Sequence, residues 1–178
     1  MPRLAALGTL YAATFAAATA FATPDRLILA AVIAVPLIWL TLADLDRHEI
    51  PDMATAAIAG AGAIFQWHLH GPSYALLAVL VLAPALTAVF WIAGQRHFDR
   101  HGTEALGIGD AKLIGAGTLC IGVGSVWAML FVAATGGIVA ALLAQRRDPS
   151  KVGLAFGPFL AYAVFIFVNF PVAGPAAP

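Results

Sequence analysis

Long apolar runs separated by short clusters of charge set the pattern of this chain. They fall at Leu4–Ala22, Leu27–Ala43, Met53–Leu69, Ser73–Gly94, Ile108–Ile121, Ser125–Gln145 and Leu154–Phe170. Most approach the length of about 17 to 22 residues that carries an α-helix across a hydrocarbon core of about 30 Å. The third, rich in Ala and Gly and ending near Trp67-His68, and the fifth, short and opening on a Gly-rich stretch, are the weakest. Backbone groups in hydrocarbon must be paired within their own segment, and no alternating barrel pattern is present. The pattern therefore predicts an all-α polytopic membrane protein, a bundle of about six to seven transmembrane helices. Pro36 and Pro84 fall inside spans, where proline frees a carbonyl and kinks a helix.

The expected organisation is a single membrane-embedded domain over residues 1–178, with 4–22 as an additional N-terminal helix ahead of a core at 27–170. The first run also has a rival reading. Arg3 followed by an Ala-rich apolar stretch ending near Ala20-Phe21-Ala22 resembles a secretory signal, but the run is long for a signal core, which favours an uncleaved helix.

Composition strengthens the membrane reading. The 178 residues are 62% hydrophobic and 10% charged, with a mean hydropathy of +0.93. The net charge of zero says nothing about a nucleic-acid partner, and none is expected; in a membrane protein the distribution of charge among loops carries the information. With the N-terminus in the cytoplasm, that side collects Arg3, Arg47, Arg96, Arg100, Arg146, Arg147 and Lys151, leaving Arg26 on the other. The asymmetry predicts N-terminus in and C-terminus out. The single cysteine, Cys120, excludes an internal disulfide and reads as a small apolar helix residue.

Carboxylates beside hydrocarbon are costly, so Asp44 and Asp110 stand out. Asp44 closes the second span and opens Asp44-Leu45-Asp46-Arg47-His48-Glu49-Ile50-Pro51-Asp52; Asp110 closes Gly107-Ile108-Gly109-Asp110 at the start of the fifth. The inferred topology places both at the cytoplasmic face, where they can meet. Two carboxylates together in a partly dry site do not both ionise cheaply, so one holds a proton while the other activates water. That division of labour suits peptide hydrolysis. Gly107 and Gly109 would allow a sharp backbone turn and close approach of a peptide.

Three motifs in order make the pattern specific. Asp44 with the following Ile50-Pro51-Asp52, then Gly107-Ile108-Gly109-Asp110-Ala111-Lys112-Leu113, then Phe156-Gly157-Pro158-Phe159-Leu160-Ala161 before the last span, resemble the prepilin leader peptidases, membrane aspartic proteases of the GxGD type. The likeness extends over about residues 27 to 170. It implies catalytic roles for Asp44 and Asp110, with Asp46, Asp52, Gly107, Gly109, Lys112, Gly157 and Pro158 in support. It also implies cleavage of the basic leader from type IV prepilin or pseudopilin-like precursors, just ahead of their hydrophobic stem, at the cytoplasmic face of the bacterial inner membrane. The implied partners are that precursor and membrane lipid; no cofactor or metal is expected. The long N-terminal domain with paired Cys-x-x-Cys motifs, associated in the family with zinc and N-methylation, has no counterpart in this sequence. The expectation is therefore cleavage alone, as in the short enzymes that serve Flp or Tad-type pili. Ile50 replaces the more usual leucine before Pro51.

Plainer roles fit several of these residues. Asp52 is placed to cap the third helix, Asp46 is a solvated loop acid, Lys112 reaches for the interface in preference to a carboxylate, and Phe156-Gly157-Pro158 starts a helix. His68 and His70 sit with Trp67 at the far boundary. His48, His97 and His101 share the cytoplasmic side with the acids but lack the His-Glu-x-x-His pattern of a zinc protease. A small transporter or proton-conducting protein using the same aspartates is the alternative. Such sites lie near mid-bilayer and often in duplicated halves, and no repeat is visible here.

Overall fold

The apolar runs fold as helices, several of them bounded by residues suited to their ends. The computed structural model describes residues 2–102, 106–147 and 155–172. In order come α1 (Pro2–Ala18), α2 (Pro24–Arg47), α3 (Asp52–His70), α4 (Tyr74–His101), α5 (Ile108–Ile121), α6 (Val126–Arg147) and α7 (Gly157–Asn169), with a 3-10 turn at Val123–Ser125 ahead of α6. No strand occurs among the described residues. Pro24 opens α2, where a missing N–H costs nothing. The Ser73 hydroxyl accepts from the Leu76 N–H at the start of α4. Lys151 and Leu154, the first assigned to the cytoplasmic charge cluster and the second to the start of the last span, lie outside the described residues.

Two helices outrun their apolar spans. α2 continues through Asp44 to Arg47, and α4 continues through Arg96 and Arg100 to His101, where Gly102 closes it at φ 68°. The loss of apolar character marks the edge of the hydrocarbon and not the end of the helix. α2, α4 and the stretch Val123–Arg146 are each long and apolar enough to cross a membrane, while α1 and α7 are shorter apolar helices. Tyr74, Trp127, Phe131, Ile138 and Leu142 are all more than half exposed. That much apolar surface is untenable in water and suits lipid. The chain is an all-α polytopic membrane protein.

α5 is the innermost helix. Its 14 residues give about 21 Å of rise, short of a bilayer core, and most are buried, including Ala111, Leu113, Ile114, Gly115, Ala116, Gly117, Thr118, Cys120 and Ile121. Small residues let its neighbours close in. A Cβ at Gly62 of α3 would come within 2.7 Å of the Cys120 backbone N, and one at Gly115 within 2.9 Å of the Ala83 carbonyl oxygen on α4. α3, α4 and α7 surround α5, and α2 packs on α3 and α7. α1 lies outside, against α2 and α7. The ring of Tyr11 of α1 packs at a tilt on Phe165 of α7, 4.5 Å between centroids.

The ends of the bundle differ in charge. Arg3 of α1 pairs with Asp46 of α2 at 2.9 Å, and Lys112 of α5 pairs with Asp52 of α3 at 2.6 Å. At the opposite end Arg26 reaches the Val168 carbonyl, and the His68 ring approaches Asp25 to 4.0 Å.

Candidate active site

Three helix termini and one loop build the site. Asp44 stands in the last turn of α2 with only 6% of its surface exposed. The helix ends at His48, whose φ of 55° and ψ of 38° place it in the left-handed region. This reversal carries Ile50 and Pro51 back across the bundle toward the starts of α5 and α7. Asp110 is the third residue of α5, and its Oδ2 accepts a hydrogen bond from the Gly107 N–H at 3.2 Å. The bond satisfies one free amide at the helix start and points the carboxyl back over that terminus, whose partial positive charge favours it.

Both acids open on one cavity of about 790 Å³, lined also by Trp39, Glu49, Ile50 and Gly109. Their carboxyls are near enough to interact electrostatically. Asp44 Oδ2 and Asp110 Oδ1 are buried and have no hydrogen-bond partner among the described residues. Each acid thus presents one uncommitted oxygen.

Gly157, the first residue of α7, forms the third wall. Its backbone N–H is directed at the Asp44 carboxyl, although Asp44 Oδ2 lacks a partner of full hydrogen-bond geometry. A Cβ at Gly157 would lie 2.7 Å from Asp44 Oδ2 and 3.1 Å from Ile50 Cδ1. Only glycine lets the start of α7 sit this close. A Cβ at Gly109 would likewise lie 2.8 Å from Ile50 Cβ. Ile50 therefore wedges between two glycines, one on each side of the acids, a role that its sequence position did not reveal.

The structure revises several expectations. Gly107 has φ −69° and ψ 154°, extended backbone open to any residue, so the Gly-x-Gly motif makes no sharp turn here; at Gly109 the requirement is clearance for Ile50. Asp52 is not the cap of α3. Pro51 holds that position, without a side-chain bond, and Asp52 begins the helix with its carboxylate on Lys112 Nζ. Lys112 accordingly reaches a carboxylate and not only the interface. Asp46 and Asp52 stand at the cavity margin. Pro158 faces elsewhere, lining a cavity of about 300 Å³ with Tyr11, Thr41 and Tyr162. Of the histidines at the acid-bearing end, His48 lines the acid cavity, whereas the rings of His97 and His101 stack on each other along α4.

The comparison with protein families gives a match to the type IV leader peptidase family over residues 31–144, a stretch containing both acids and more than half of the chain. The chain belongs to this family. Among similar proteins, the prepilin leader peptidase/N-methyltransferase of Pectobacterium carotovorum subsp. carotovorum is 32% identical over 127 residues, covering 70% of this chain and 45% of that protein. The corresponding protein of Neisseria gonorrhoeae is 31% identical over 130 residues, 73% of this chain and 44% of its own length. The chain thus spans less than half of these longer relatives. Leader peptidase HopD of Escherichia coli is 32% identical over 155 residues, 82% of this chain and 92% of that protein. No solved structure matches the chain. The segment matching the type IV leader peptidase family runs from within α2 to within α6, so the match includes both acids, while the Gly157 wall lies beyond it.

Proposed function

We propose that this protein is a membrane aspartic endopeptidase that removes a short basic leader from type IV prepilin or pseudopilin-like precursors at the cytoplasmic face of the bacterial inner membrane. One observation carries the reading: two carboxylates from helices distant in sequence open on the same cavity, each with an oxygen that has no full hydrogen bond among the described residues. Family membership and the names of the relatives support it. Of the rim acids, Asp46 and Asp52 are paired with Arg3 and Lys112, and Glu49 adds negative charge suited to a basic peptide. The excess of arginine at the same end supports the cytoplasmic assignment.

In this mechanism the pair shares one proton. The ionised carboxylate takes a proton from water as the water oxygen attacks the scissile carbonyl carbon, and the protonated carboxyl gives its proton to the carbonyl oxygen. The tetrahedral diol then collapses. Its C–N bond breaks, the newly protonated carboxyl protonates the leaving nitrogen, and a diol hydroxyl returns its proton to the other carboxylate. The pair ends as it began. Lys112 and Asp52 fix α5 against α3 at the mouth, and Gly157 and Gly109 keep the walls close. Acids at helix ends suit this chemistry better than ion carriage, for which midplane sites are usual.

The test is co-expression with a precursor bearing a basic leader. Asp44→Asn and Asp110→Asn should insert normally yet lower processing by a factor of about 100 or more, while Asp46→Asn retains at least part of the activity. Full processing by either amide variant at position 44 or 110 rejects that residue's role.

A further inference from the structure

A second concavity continues from the acid cavity into the depth of the membrane. α3 and α4 both pack closely on α5 and only lightly on each other, so a groove of about 410 Å³ opens between them, with α5 as its floor. One wall is the α3 face Asp52, Thr55, Ala56 and Ala59; the floor is the α5 face Lys112, Gly115, Ala116 and Leu119. Both sets follow the spacing i, i+3, i+4, i+7, a single helix face, and both helices begin at the acid-bearing end. The groove therefore descends about 10 Å, two helical turns, from that end. Ala83, Pro84 and Thr87 of α4 close the other side. Asp52 and Lys112 line both concavities, so their ion pair is the sill between them.

We infer that this groove receives the apolar helix of the substrate that follows the scissile bond. The inference rests on the peptidase reading above. A peptide seated over Asp44 and Asp110 whose next residues enter the bilayer meets this depression directly across the Asp52–Lys112 sill. The lining favours a helix over a lipid. Its lining carries the small side chains of Ala56, Ala59 and Ala116, which let a helix backbone approach closely. The Thr55 and Thr87 hydroxyls are spent on the backbone carbonyls of their own helices, leaving a dry surface. At the mouth the Lys112 ammonium is already 2.6 Å from a carboxylate, a poor receptor for a lipid phosphate. Residues at Ala56, Ala59 and Ala83 then select for the shape of the stem, while the acids act on the bond.

Two experiments decide it. Ala59→Leu, which fills the groove, should lower processing of the full precursor by at least about tenfold relative to a short peptide that spans the scissile bond but ends before the apolar stem; Ala134→Leu, on the exposed face of α6, should leave the ratio unchanged. Separately, a benzophenone amino acid at position 56 in an Asp110→Asn background should crosslink to the precursor stem, and one at position 134 should not. An unchanged ratio for Ala59→Leu, or capture at position 56 of lipid alone, overturns the groove assignment. Precursor captured at position 56 with no cleavage by wild-type protein would reject the peptidase reading and keep the groove. Normal, Asp-dependent cleavage without capture would do the reverse.

Discussion

A single methyl group separates glycine from alanine at position 157, and the space for it is already taken by Asp44 Oδ2 at 2.7 Å. Gly157→Ala should push α7 from the acid and lower processing at least about tenfold. At Gly107 the added Cβ would meet nothing nearer than Asp110 Oδ2 at 3.5 Å, ordinary contact. Gly107→Ala should therefore keep most of the activity, and side-by-side precursor assays in membranes check the contrast. His48 offers a second test at this scale. Its left-handed conformation costs a β-branched residue about 1 to 2 kcal/mol, so His48→Val should lower the melting temperature in detergent, while His48→Asn should lower it less. The acids were legible in the sequence because charge next to an apolar run is anomalous on its face. Gly157, Gly109 and Ile50 were legible only as motif letters: their shared contact joins segments far apart along the chain, which no local pattern records.

α5 tests what close packing contributes to an element. Gly115 faces Thr87 and the Ala83 carbonyl of α4, whereas Gly60 of α3 has nothing within 4 Å of its missing Cβ. Gly60→Ala should stabilise slightly, by about 0.5 to 1 kcal/mol, since alanine is the better helix former. Gly115→Ala should destabilise by about 1 to 3 kcal/mol through overpacking. Thermal unfolding in detergent reads both, and equal effects would remove the argument for tight α4–α5 contact. The bounds of α5 follow its apolar run, with Gly107 just before it and Gly122, at φ 76°, ending it. Those of α2 and α4 do not. Their last turns are polar and resemble loop, yet the helix hydrogen bonds continue into the headgroup region, which tolerates charge. Asp44, read as closing the span, accordingly lies within the last turn of α2 and not at the end of the helix.

Across the whole molecule, the two ends of the bundle make a topological prediction. Cys120 is fully buried, so the native chain should resist membrane-impermeant thiol reagents. Cysteine substituted for Glu49 should react from the cytoplasm, and cysteine substituted for His70 from the other side; the opposite pattern in intact cells would reverse the assigned orientation. The sequence alone supported a count of spans and an orientation. It did not reveal which helix lies innermost, because α5 is neither the longest nor the most continuous apolar run, and its place follows from glycines that matter only when neighbours arrive.

The shortness of that innermost helix has a physiological reach. With about 21 Å of rise against a hydrocarbon layer near 30 Å, α5 is too short to cross an undeformed bilayer core alone, so a thicker bilayer adds mismatch at its ends. Catalysis should then act as a gauge of membrane thickness: in vesicles of progressively longer acyl chains, turnover should fall while the fold persists.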